Sequence, residues 1–201
     1  MIDLDTANTL FTTLTLIANV AFLALLLVGV AALVGGPGRP IARHAGGLIG
    51  PRARVLALIA AAVTTAGSLY YSEVKGLLPC ELCWFQRICM YPLFAILLVG
   101  VLRKDRGALW YAAPFVAIGA PLALYHWLVE RVPAFTDSTS CSVLQSCNIP
   151  YFEELGYVTL AFMDLSAFLL IGALLVTARA SDRPDQEETQ RSPGRTAGRA
   201  E

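Results

Sequence analysis

Cys80-Glu-Leu-Cys83-Trp-Phe-Gln-Arg87 sets two thiols at redox spacing at the head of an apolar segment, with an arginine one helical turn further in. A thiolate at a helix start is stabilised by unpaired backbone N–H groups and the macrodipole, which lowers its pKa and suits reversible oxidation. Pro79 fits the first turn of such a helix. A second couple, Cys141 and Cys147, lies in a later polar loop, so four of the five cysteines form two couples in two segments. Two separated dithiols are an arrangement for passing electrons. Static disulfides are the plainer reading, and it suits the Cys141/Cys147 loop better than a Cys-x-x-Cys at a helix start. A zinc site of four thiolates is disfavoured, because five residues separate Cys141 from Cys147 where a zinc ribbon uses two Cys-x-x-Cys knuckles.

The polar residues near these thiols extend the chemistry. Arg87 follows Cys83 by four positions, on the same helix face and about 6 Å deeper along the axis. An arginine within an apolar span is costly unless it snorkels or binds something. Its functional reading is a donor to an acceptor oxygen, such as a quinone carbonyl, and Gln86 is placed to donate beside it. His126 is expected at a similar depth on another helix, where imidazole hydrogen-bonds an oxygen or relays protons. Asp164 either pairs with Arg87 or lines a polar cavity. Cys89 points away from Cys83 into the span and reads as a small apolar residue.

These side chains must be positioned by membrane helices. More than half of the residues are hydrophobic and 15% are charged, and the charges fall between long apolar runs. Five spans are expected at 9–34, 55–71, 83–102, 109–129 and 156–178. Backbone polar groups in lipid must be satisfied within the segment, so the spans are helices, and barrel-type alternation is absent. The first run lacks a basic flank and is too long for a cleaved signal, so it is expected to be retained.

Basic residues set the orientation. Arg39, Arg43, Arg52 and Arg54 fall in segment 35–54, Arg103, Lys104 and Arg106 follow the third span, and Arg179 and Arg183 follow the fifth. By the positive-inside rule these segments are cytoplasmic, which puts residues 1–8 and both cysteine pairs outside. Trp84, Trp127, Tyr70, Tyr71, Tyr125 and Tyr157 fall at the outer span ends, as in an interfacial aromatic belt. Residues 151–155 mix apolar and acidic side chains and are expected to lie along the membrane surface. The polar segment 179–201 reads as a disordered cytoplasmic tail. The zero net charge hides this segregation and says nothing about nucleic acid; no phosphate-binding glycine loop occurs, and nucleic acid is not among the expected partners.

With Cys80-Glu-Leu-Cys83-Trp-Phe-Gln-Arg87-Ile-Cys-Met-Tyr-Pro92 in view, the chain resembles the disulfide bond formation protein B family, DsbB, in its BdbC-type branch. The likeness runs over about 55–178, and its elements come in order: a span, the Cys-x-x-Cys with its arginine, a basic turn, a span ending in Tyr125-His126, the loop cysteines and a last span. It implies a four-helix transmembrane bundle, to which 9–34 adds one N-terminal helix, in the bacterial cytoplasmic membrane. It also implies a thiol:quinone oxidoreductase supporting disulfide formation, with ubiquinone or menaquinone as acceptor and a thioredoxin-like, DsbA-like dithiol oxidase as partner. By position, Cys83 resembles the quinone-facing sulfur, Cys80 its exchange partner and Arg87 the quinone-contacting arginine. His126 resembles a histidine near the quinone. Cys141 and Cys147 resemble the pair that oxidises the partner, Cys141 taking the attack and Cys147 relaying to Cys80.

Two other classes fit some of these features. A vitamin K epoxide reductase-like enzyme also joins loop cysteines to a Cys-x-x-Cys, but there the loop pair comes first in the chain. A membrane anchor with structural disulfides leaves Arg87 unexplained.

Overall fold

A computed structural model of the chain describes residues 3–34, 38–136 and 146–191. Its helices are α1 (Leu4–Val34), α2 (Gly38–Leu69), α3 (Glu81–Leu102), α4 (Ala108–Arg131), the short α5 (Pro133–Thr136) and α6 (Leu160–Arg191). α1, α2, α3, α4 and α6 are each long and apolar enough to cross a membrane. Among the described residues the β-type pairing is one isolated bridge, Glu154 with Val158.

α2, α3, α4 and α6 form a four-helix bundle, with α2 against α6, α6 against α4, α4 against α3 and α3 against α2. Small residues bring these axes together. Ala53, Ala57 and Ala61 recur every four residues and are fully buried along α2. On α4, a Cβ added to Gly119 would stand 2.3 Å from the Phe168 ring of α6. Phe168, Leu93 and Ile171 are fully buried at this core. α1 packs on the α2–α6 side of the bundle. Asp3 caps it by accepting from the Thr6 amide at 2.7 Å. Thr13 and Thr15 return their hydroxyls to carbonyls one turn back, each at 2.8 Å, which satisfies them within lipid.

The structure redraws several expected boundaries. The basic stretch before the second span is helical from Gly38, through Pro51, and packs as part of α2. Gly50 meets Ser181 of α6 with no room for a Cβ, and Arg54 pairs with Asp182. Arg106 reaches the same aspartate at 3.8 Å, so the basic segments gather at one end of the bundle. α6 likewise continues to Arg191, where an irregular tail is expected from composition. Extending a helix that already exists fixes one residue per hydrogen bond, without the cost of a new nucleus.

At the opposite end, the last span starts at Leu160 rather than 156. Gly156 has φ +76°, incompatible with a right-handed helix, and the Thr159 hydroxyl caps α6 by accepting from the Phe162 amide at 3.3 Å. Residues 151–153 are irregular, and Glu154 and Leu155 open a tight turn closed by the Glu154–Val158 bridge. α2 ends in a π-helical turn, Tyr70–Val74. Tyr71 is buried rather than part of an outer belt, and its hydroxyl donates to Asn8 Oδ1 of α1 at 2.9 Å.

Candidate functional site

Cys80 is the N-cap of α3. Its backbone is extended (φ −69°, ψ 172°), and its sulfur accepts from the Cys83 amide at 3.2 Å, which satisfies one of the free N–H groups of the helix start. The Cys80 thiol, one residue ahead of the span, is held below the ordinary thiol range, first by the hydrogen bond from Cys83 and then by His126. Cys80 and Cys83 are free thiols.

His126 reaches this pair from α4. It is buried, with Nε2 3.7 Å from Cys80 Sγ and Nδ1 3.1 Å from the Gln86 amide nitrogen. The ring is thus fixed from both sides. Glu130, one turn along α4, stands 3.9 Å from Nε2 and accepts from the Thr159 hydroxyl at 2.5 Å. Sequence reasoning passed over Glu130, although an acid four residues beyond a histidine on a helix is a readable pattern.

Arg87 turns toward α2. Its Nε donates to Ser68 Oγ and its Nη2 to the Ser68 carbonyl, both at 3.0 Å, and the Trp84 ring lies 5.3 Å from its Cζ. Two bonds to one residue set the direction of the guanidinium fork. Ser68 is the second residue the sequence did not point to; a lone serine in an apolar span carries no signal of its own.

Cys83, Gln86, Arg87, His126 and Asp164 all line one cavity of about 540 Å³. Of the two readings of Asp164, the structure supports the cavity-lining one, because Arg87 and Asp164 form no ion pair among the described residues. Away from this polar end the cavity is walled by apolar side chains of α1, α2 and α6. Cys89 lies elsewhere, within the apolar core with Met90 and Leu93.

Cys147 is disulfide-bonded and buried, and it packs in one cluster with Cys80, Leu82 and Val129. A bonded sulfur is not a thiolate ligand, which counts against a four-thiolate metal shell even though Cys80, Cys83 and His126 bring ligand atoms within 4.8 Å of one another. The segment after Cys147 is tied down where Tyr151 Oη donates to the Leu78 carbonyl at 2.5 Å and Phe152 stacks 5.6 Å from Tyr71. Cys141 lies outside the described residues.

The family model for disulfide bond formation protein DsbB matches residues 51–178. The chain belongs to the DsbB family. Disulfide bond formation protein C of Bacillus subtilis (strain 168) is 39% identical over 113 residues, covering 56% of this chain and 82% of the relative. A probable disulfide formation protein of Coxiella burnetii (strain CbuK_Q154) is 37% identical over 123 residues, covering 61% and 84%. A probable disulfide formation protein C of Halalkalibacterium halodurans is 40% identical over 105 residues, covering 52% and 77%. No solved structure matched. As a DsbB-family protein the chain is a multi-pass membrane oxidoreductase of disulfide formation, which implies a thiol–disulfide partner. The DsbB match begins within α2, so α1 lies outside it.

Proposed function

We propose that this protein reoxidises a thioredoxin-like dithiol oxidase outside the cytoplasm and passes the electrons to a membrane quinone. The observation that carries this reading is the packing of Cys147 against Cys80 while Cys83 and Arg87 line the adjoining cavity. The gathering of basic segments at the other end of the bundle supports an extracytoplasmic site.

The residues present fit a quinone. The cavity pairs a polar end, rich in donors, with a long apolar remainder, which matches a ring bearing two carbonyl oxygens and an apolar tail. When bound, the quinone supplies a two-electron, two-proton acceptor. Arg87 would hold one carbonyl oxygen through its charged fork, with Gln86, His126 and Asp164 completing the polar surface.

The thiol steps balance as exchanges. A partner thiolate attacks Cys141 of a Cys141–Cys147 disulfide and releases Cys147; the partner's second thiol resolves the mixed disulfide, leaving the partner oxidised and the loop pair reduced. The Cys147 thiolate then attacks Cys80 of the Cys80–Cys83 disulfide and releases Cys83, and Cys141 resolves that bond and re-forms the loop disulfide. Cys80 and Cys83 now hold the two electrons, which pass with two protons to the quinone as the inner disulfide re-forms. A low thiol pKa makes Cys80 a good leaving group in the resolving step.

The test is to supply purified protein with a reduced thioredoxin-like protein and to follow quinone absorbance together with partner thiols. One quinone reduced per partner disulfide formed is expected. Partner oxidation without quinone loss would overturn the acceptor assignment.

A further inference from the structure

The apolar part of the cavity takes no part in thiol exchange, and one of its walls is the helix that lies outside the family match. Phe11, Thr15, Ala18, Ala21, Leu25 and Val28 recur at three- and four-residue spacing along α1 and face the cavity as one stripe. From Phe11 to Val28 that stripe runs about 26 Å at 1.5 Å per residue, most of a hydrocarbon core about 30 Å thick. Its polar end is continuous with Ser68, Cys83 and Arg87.

We propose that α1 is the tail-binding wall of the acceptor site: the groove between α1, α2 and α6 holds the polyisoprenoid tail of the quinone whose ring lies at Arg87. This rests on the quinone reading above and adds the element that encloses the tail.

The helix is built into the bundle. At the outer end Tyr71 bonds Asn8, and Phe11 closes over Gly67, where an added Cβ would stand 2.8 Å from the ring. Midway, the Asn19 side chain donates to Ser166 Oγ of α6 at 3.1 Å. On either side of Asn19 the cavity-facing positions on α1 include Ala18, Ala21 and Ala24, with Ala60 of α2 and Ala167 of α6 also on the cavity walls. Short side chains on several helices leave a channel that leucines would fill. The lipid-facing side of α1 has the opposite character, with Val20, Leu23, Leu27 and Leu33 exposed.

The polar end favours a quinone tail over a phospholipid chain. A phospholipid drawn in by its acyl chain would bring an anionic phosphate beside the carboxyl group of Asp164, with Arg87 the one arginine or lysine among the described residues that line the cavity. A neutral quinone ring meets no such repulsion.

Full-length protein in nanodiscs would be titrated with a quinone carrying a single isoprene unit and with one carrying a long tail, reading quinone-induced melting shifts to obtain Kd. Ala21→Trp is expected to raise Kd for the long-tailed quinone by about tenfold or more and to leave the short-tailed one nearly unchanged. Val20→Trp, on the exposed side, should behave as wild type. On the unaltered chain, a long-tailed quinone with a diazirine at its tail end should label α1. Equal effects of Ala21→Trp on both quinones, or labelling confined to α3 and α4, would overturn the proposal and leave the groove to a lipid chain. If the unaltered protein binds neither quinone, the acceptor reading fails first and this one with it.

Discussion

His126 Nε2 stands 3.7 Å from Cys80 Sγ, across the contact between α4 and the start of α3. The sequence suggests a histidine that serves the acceptor; the structure also sets it against the exchange cysteine. With Gln86 on the other nitrogen and Glu130 nearby, the ring has little freedom to turn away. Its position would link the two halves of the proposed reaction.

Cys80 should therefore be alkylated well below the ordinary thiol pKa of about 8.5, because a lowered pKa leaves thiolate present at lower pH. In His126→Asn the midpoint of alkylation rate against pH should move upward, as one of the stabilising contacts is lost. The measurement is iodoacetamide labelling of Cys80 in a Cys83→Ser background against its double variant with His126→Asn. The Cys83→Ser midpoint itself should already exceed that of the intact reduced pair. No difference between the two backgrounds would remove the histidine from the thiol chemistry.

Cys83→Ala should abolish quinone reduction while Cys80 still accumulates a mixed disulfide with Cys147, visible by non-reducing electrophoresis and mass mapping. Cys89→Ala should remain active, because its thiol sits in the apolar core away from the exchange pair. A dead Cys89 variant alongside an active Cys83 variant would overturn the dithiol assignment.

Arg87→Gln should weaken the quinone dependence by roughly ten- to a hundredfold, corresponding to the loss of a charged hydrogen bond worth about 1.5 to 3 kcal/mol. Arg87→Lys should do less harm, keeping the charge but not the fork. Ser68→Ala keeps the guanidinium but frees its direction, so a smaller increase in apparent KM with kcat nearly unchanged is expected. Partner thiol exchange, followed without added quinone as a single turnover, should be unaffected in all three. An unchanged quinone dependence in Arg87→Gln would mean that the arginine serves packing alone.

Gly119→Ala should destabilise the bundle by about 1 to 3 kcal/mol, the usual cost of overpacking, because the new methyl meets the Phe168 ring. Phe168→Leu in the same chain should restore part of the lost melting temperature. Additive losses in the double variant would show that the two residues do not share this contact.

Much of this protein is legible in its sequence, because lipid leaves the backbone few choices. An apolar run in a bilayer must satisfy its own N–H and C=O groups, so five runs dictate five helices, and the Cys-x-x-Cys at the head of the third run puts a thiol pair at a helix start. The tertiary structure decided what spacing does not encode. Cys147 lies far from Cys80 along the chain yet shares its buried cluster, and Arg87 is aimed by Ser68 of a different helix. The helical extensions of α2 and α6 depend on each other, through Gly50 against Ser181 and Arg54 with Asp182, so neither segment reveals them alone. The same holds for α1: its apolar run requires a helix, but packing on the α2–α6 side makes one of its faces a cavity wall. Local sequence sets a helix and its stripes; which stripe meets which partner is settled when side chains from several helices exclude lipid together.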